Sequence, residues 1–221
     1  MKKVNCLLIA LFFLSSCAST KNFPNHWWAP VTDKSPPSWE ILPQSGKKGK
    51  SVILSKRNEL GILSNFAKTS FTFEGKTYPG IEGLWQGMKY PEDTNDKSDP
   101  RNKLRYKLKR SVVEQLASFK AKRAGKEGSS NMKKLGINWV TYKGKRMTYR
   151  TSEKGEHYQL IRKLMTEKLK QNKEVQEVLM KTGDLILLPD HTQKPDSPPA
   201  WKYNQIWMEL REEVRSGKLK L

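Results

Sequence analysis

Both cysteines of this 221-residue chain, Cys6 and Cys17, fall within its first twenty residues. The rest of the chain has no disulfide, zinc ribbon or thiol nucleophile available, so an apolar core must hold its fold. Apolar residues make up only 36% of the sequence, but they include seven Trp, seven Tyr and seven Phe. A disordered basic chain lacks that aromatic load. A mean hydropathy of −0.76, with one apolar run near membrane length, excludes a multi-span membrane protein. The length suits one domain with an appended segment. Lys and Arg number 42 against 22 Asp and Glu, a net charge of +20 that points to an anionic partner.

The first residues read as an address. Lys2 and Lys3 precede an apolar run, Leu7 to Leu14, that is too short to span a bilayer. The sequence Leu14-Ser15-Ser16-Cys17 that closes it resembles the lipobox of bacterial lipoproteins. That resemblance implies a signal peptide over 1–16, cleavage before Cys17, and lipidation of its thiol. Ala18 rather than Asp follows the cysteine, which by the same resemblance favours the outer membrane over the inner. The expected location is therefore the cell envelope. Residues 17–50 carry Pro24, Pro30, Pro36, Pro37 and Pro43, the composition of a semi-rigid tether. Trp27, Trp28 and Trp39 within it are expected to pack back on the domain, with interfacial membrane contact as the alternative.

Residues 51–221 read as a single α+β domain, predominantly helical, that begins with a short β region. Ser51 to Leu54 is a strand candidate. Phe71 to Phe73 and Thr77-Tyr78 form a hairpin about Gly75. A short helix runs from Glu82 to Lys89. Leu104, Leu108, Val112, Val113, Leu116 and Phe119 fall near a 3.6-residue period and predict one long helix over 101–124. Gly125 is placed to end it, with a Gly/Ser loop at 125–131. Helices are expected at 157–170, 174–181 and 205–216, and an extended segment at 185–188.

Charge is concentrated in the middle. Residues 101–150 hold 16 Lys and Arg against 2 Asp and Glu. A face built only for solubility would mix signs, so a phosphate-rich ligand, nucleic acid or anionic envelope polymer fits better. No helix-turn-helix, zinc-finger or RNP-type motif supports base-specific reading.

On a helix over 81–89, Glu82, Gln86 and Lys89 stand at i, i+4 and i+7 and share one face, flanked by Trp85. A carboxylate, an amide, an amine and an aromatic surface on one stripe suit a polar substrate carrying a planar ring. The bland alternative is a set of solvated ions.

Three stretches together resemble the NADAR (YbiA-like) family: Gly61-x-Leu63-Ser64-Asn65-Phe66; Phe73-x-Gly75-Lys76-Thr77-Tyr78-Pro79; and Glu82-x3-Gln86-x2-Lys89. Later pieces match too, among them Asn138-Trp139-x3-Lys143, Leu164-x3-Lys168 and Met208-Glu209-Leu210-Arg211-Glu212. The resemblance spans about 52–216 and implies a YbiA-like domain with N-glycosidase activity. Its substrate is an ADP-ribosyl or phosphoribosyl-type compound, extracytoplasmic in this case and nucleic-acid-linked in one form. No cofactor or metal is implied. Glu82 becomes the acid/base and Lys89 the amine that captures the opened sugar as a Schiff base. Asn65, Phe66, Trp85, Gln86, Trp139, Asp190 and Trp201 become substrate-binding residues. Gly83 and Gly87 stand where the family has His and Ala, and such glycines cost a helix roughly 1 kcal/mol each. Pro198-Pro199 replaces the family's late Gly-rich loop and implies a reshaped pocket. The other class of function open to this sequence is a non-catalytic basic envelope lipoprotein that binds nucleic acid or an anionic polymer.

Overall fold

A seven-residue helix does not persist alone in water, yet α1 (Ile81–Gly87) lies at the centre of the protein with every residue buried. In the computed structural model, which describes residues 22–93 and 95–221, it packs mainly against α2 (Arg110–Glu114) and α3 (Ser118–Lys134). Glycines permit that approach. A Cβ on Gly83 would lie 2.2 Å from the carbonyl oxygen of Leu116, and one on Gly87 would lie 2.5 Å from Glu114 Cγ. Where α1 meets α3, a Cβ on Gly125 of α3 would fall 1.7 Å from Gln86 Oε1. Gly83 thus meets backbone directly, while Gly87 and Gly125 leave room for the side chains of Glu114 and Gln86.

The long helix expected over 101–124 does not form. A 3-10 turn (Pro100–Lys103), the short α2 and the longer α3 take its place. Ser118, with φ of +55°, breaks the path between α2 and α3. Of the six apolar residues that suggested the period, only Val113 is fully buried, while Val112 and Phe119 stay exposed. Gly125 and the 125–131 stretch lie inside α3, because that part of the helix must touch Gln86, Lys89 and Tyr90.

The remaining elements enclose this centre. β1 (Ser51–Ile53) and β6 (Ile186–Leu188) pair in parallel, joining the two ends of the domain. β2 (Phe71–Phe73) and β3 (Lys76–Tyr78) form the expected hairpin, with Glu74 and Gly75 both at positive φ. A second hairpin, β4 (Trp139–Tyr142) and β5 (Lys145–Thr148), lies in the middle of the chain, where no strand was read. It turns on Lys143-Gly144, again with positive φ at both residues. Helices α4 (Glu156–Gln171), α5 (Lys173–Lys181) and α6 (Tyr203–Arg215) match the sequence periods. Ile161, Leu164 and Leu169 of α4 and Ile206, Trp207 and Leu210 of α6 are buried in the common core. Removing one such aliphatic side chain costs about 2–5 kcal/mol. The architecture is α+β and predominantly helical.

The Pro-rich stretch does not stand apart as a tether from residue 23 onward. Trp27 and Trp28 are core residues, their indole N–H groups donating to Glu59 Oε1 (2.7 Å) and the Ser51 carbonyl (2.8 Å). Large aromatics whose polar edges find partners gain more from burial than the prolines gain from extension. Trp39 is 46% exposed. The signal peptide and Cys17 lie outside the described residues, and no described helix is long and apolar enough to cross a membrane.

One buried cation sets the loop ahead of the site. Lys168 of α4 is fully buried and donates to the carbonyls of Ile62 (2.6 Å) and Ser64 (3.1 Å), just before Asn65. Burial lowers its pKa from 10.5 to about 7. Between those values the unfolded chain holds a proton that the folded chain has released, so stability rises with pH across that window. Urea midpoints measured at rising pH are expected to climb more steeply for the wild type than for Lys168→Met. Equal slopes would show that Lys168 does not titrate this way.

Candidate active site

Ile81 to Gly87 can be helical because Glu82 N–H finds the Asn65 carbonyl (3.2 Å), anchoring its first turn to the 64–66 loop. That anchor places Asn65 and Phe66 beside the Glu82 stripe. Asn65, Phe66, Glu82, Trp85, Gln86 and Trp201 line one cavity of about 460 Å³. Six of the expected site residues are thereby brought together from three separate stretches of sequence.

The stripe is wired internally. Gln86 Nε2 donates to Glu82 Oε1 (2.8 Å), and Lys89 Nζ donates to Gln86 Oε1 (2.6 Å) and Ser129 Oγ (3.0 Å). One amide therefore joins a carboxyl group to an amine. Glu82 is 6% exposed and Lys89 is 5% exposed. Burial pushes the Glu82 carboxyl up from its usual value, against the Gln86 hydrogen bond and the charges of Lys89, Lys122 and Lys56. Burial also lowers the Lys89 amine to about 8, with Glu82 opposing and Arg150 assisting. Each group is moved toward its neutral form.

Lys89 lies just beyond the end of α1 and lines an adjoining cavity of about 800 Å³. Gln86, Lys122, Tyr149 and Trp201 line both spaces. Lys126, Lys133 and Arg150 also face the second cavity, and among the described residues no Asp or Glu lines it. Part of the basic 101–150 segment therefore borders the candidate site. Other cations of that segment serve the fold: Arg101 and Arg110 are tied into ion pairs with Asp99 and Glu114.

Aromatic rings make the floor. Trp85 Nε1 donates to the Tyr149 hydroxyl (3.1 Å), and His157 meets both rings edge-on. Burial, reinforced by Lys89, lowers the His157 pKa to about 4, so its ring is neutral near pH 7. Asn65 Oδ1 and Trp201 Nε1 are buried without a hydrogen-bond partner among the described residues, and both side chains line the first cavity. A buried acceptor and a buried donor at a cavity wall suit a polar guest.

Two expected residues are placed differently. Trp139 lines neither cavity, because its ring lies between the guanidinium groups of Arg101 (4.6 Å) and Arg146 (4.4 Å). Asp190 is 1% exposed and stands behind the wall, ion-paired with Lys56. It accepts from His191 Nδ1 (3.0 Å) and the Tyr203 hydroxyl (3.4 Å). Burial raises its carboxyl, but His191 and Lys56 outweigh that and hold it below its usual value. A carboxylate can only accept, so Nδ1 of His191 carries a proton.

Lys56, Tyr149, His191, Tyr203, Trp39, Phe119 and Lys122 also line the first cavity and had not been expected there. Some sequence signal existed for His191, which adjoins Asp190. None existed for Trp39 or Lys56, which reach the cavity through pairings between distant segments.

No protein-family model matches this chain, and no curated protein matches it in sequence. Among solved structures, the chain is similar to the NMR structure of the E. coli protein YbiA, with 20% identity and a TM-score of 0.48. The likeness covers 78% of this chain and 90% of that one.

Proposed function

We propose that this protein is an N-glycosidase that cleaves an N-ribosyl bond of an ADP-ribosyl or phosphoribosyl-type compound. The observation that carries the reading is the Glu82–Gln86–Lys89 relay, in which burial moves a carboxyl group and an amine toward their neutral forms. A neutral carboxyl can give a proton, and a neutral amine can attack carbon.

In the proposed reaction the Lys89 nitrogen bonds to the ribose anomeric carbon as the bond to the base nitrogen breaks. That leaving nitrogen takes the Glu82 proton. The new glycosylamine opens to a protonated Schiff base as the extra proton on the attacking nitrogen passes to the departing ring oxygen. Water then adds to the C=N bond and releases the sugar aldehyde and the free amine. A ribose lying across Gln86 would reach both cavities, with Lys122, Lys126, Lys133 and Arg150 available for its phosphates.

Borohydride reduction during turnover tests the covalent step. An adduct at Lys89 is expected, with a yield that rises with pH through a midpoint of about 8, where the amine loses its proton. Turnover without any adduct at Lys89 would remove the Schiff base.

The proposed setting is outside the cytoplasmic membrane, anchored through a lipid on Cys17. A Cys17→Ser variant is then expected to leave the membrane fraction, and its retention there would count against lipidation.

A further inference from the structure

Two of the protein's exposed large aromatics stand at the same cavity. Trp39 is 46% exposed and Phe119 44%, and both line the space that holds Glu82. Their ring centroids are 6.4 Å apart, and Phe119 meets Phe66 edge-on at 5.4 Å. Exposed aromatics lose hydrophobic stabilisation, so two of them gathered beside the half-buried Phe66 at one opening call for a function.

Trp39 is also held rigidly. Glu40, the next residue, receives two hydrogen bonds from the Arg57 guanidinium, each 2.7 Å, and forms a bridge with His191. Glu40 N–H bonds the Pro37 carbonyl (2.9 Å), and Ile41 N–H bonds the Asp190 carbonyl (2.8 Å). The backbone is fixed on both sides while the indole is left bare, which is how a stacking surface avoids the entropy cost of ordering when it binds.

Cations complete the arrangement. Lys56 Nζ lies 5.8 Å from the Trp39 ring and 5.3 Å from the Phe66 ring, and Lys122 Nζ lies 5.9 and 5.5 Å from the same two rings. Lys56 is already paired with Asp190, so Lys122 carries the charge that favours an anion beside these planar rings. A lipid surface would require the apolar groups to project from a convex face, but these line a cavity whose wall includes a buried carboxyl group.

We propose that Trp39 and Phe119, whose planes meet at 60°, form a corner clamp for the nucleobase of a nucleotide, the base stacking on the Trp39 face with Phe119 at its edge and Lys122 beside its phosphate. The N-terminal Pro-rich segment is thereby part of the binding site and sets its preference for base-bearing ligands. The placement of the base relative to Glu82 rests on the glycosidase reading, whereas the clamp itself does not.

Equilibrium binding separates the two. Titration of the full-length protein with AMP and with ribose 5-phosphate, followed by calorimetry, compares wild type with Trp39→Ala, Trp39→Phe and Phe119→Ala. AMP affinity is expected to fall about 10- to 100-fold in Trp39→Ala and to recover largely in Trp39→Phe, the scale of one lost base–aromatic stack. Ribose 5-phosphate affinity is expected to change by less than about two-fold, because it has no base to stack. The clamp is overturned if wild type binds no AMP, or if Trp39→Ala weakens both ligands equally. It is also overturned if that variant loses only affinity for anionic phosphatidylglycerol vesicles. A wild type that shows the expected binding pattern yet releases no sugar from any N-riboside keeps the clamp and removes the glycosidase reading.

Discussion

Replacing Glu82 by Gln is expected to lower the rate of base release by about 10²–10⁴-fold, the usual contribution of a positioned acid or base. The substitution keeps the shape of the side chain and an oxygen that can still accept from Gln86 Nε2, so the relay to Lys89 survives. What it removes is the ionisable carboxyl group, whose pKa burial raises toward that of a usable proton donor. Binding of AMP should change little, because the proposed clamp lies on other residues. Single-turnover rates and melting temperatures measured together decide the matter. A variant that folds normally and turns over at the wild-type rate would remove Glu82 from the chemistry.

The second large effect is on stability. Gly83→Ala is expected to destabilise the protein by about 1–3 kcal/mol, the cost of forcing atoms into a packed core. Helix propensity alone would predict the opposite sign, since Ala is favoured over Gly by roughly 1 kcal/mol in a helix interior. Here the added methyl group would meet backbone carbonyls of Leu116 and Glu114, which cannot swing away as a side chain can. Gly125→Ala presses instead on the Gln86 amide and should disturb the relay more than the fold. Denaturant melts should therefore rank Gly83→Ala below Gly125→Ala in stability. A stabilised Gly83→Ala would show that α1 and α2 do not approach as closely as described.

Where a single element carries its own chemistry, the sequence was readable. Glu74-Gly75 marks its hairpin because the turn needs positive φ, and α4 and α6 announce themselves by buried residues at helical spacing. Lys143-Gly144 makes the same turn, but Lys145 and Arg146 on the returning strand hide the apolar alternation. The period at 104–119 misled because most of its apolar residues are not buried. Glycines were the hardest to read. Gly125 resembles a helix stop until its neighbour across the core is known to be Gln86.

The same divide runs through the candidate site. Glu82, Gln86 and Lys89 share one face by spacing, which alone also suits solvated ions, and their roles came from the family resemblance; Lys89 completes the relay from just past the helix end. Trp39 and His191 are brought to one cavity by the pairing of Glu40 with His191, a long-range contact with no local signature. Trp139 illustrates the converse: an aromatic that suited stacking on a base is occupied by Arg101 and Arg146.

In the proposed reaction Glu82 and Lys89 act together on one N-ribosyl bond. The most direct measurement incubates full-length wild type, Glu82→Gln and Lys89→Ala with an ADP-ribosylated guanine oligonucleotide and follows the release of ADP-ribose. Release by wild type, with both variants close to background, is the predicted result. Equal inertness of all three, accompanied by salt-sensitive binding of the oligonucleotide, would contradict it and leave a basic binding protein in its place.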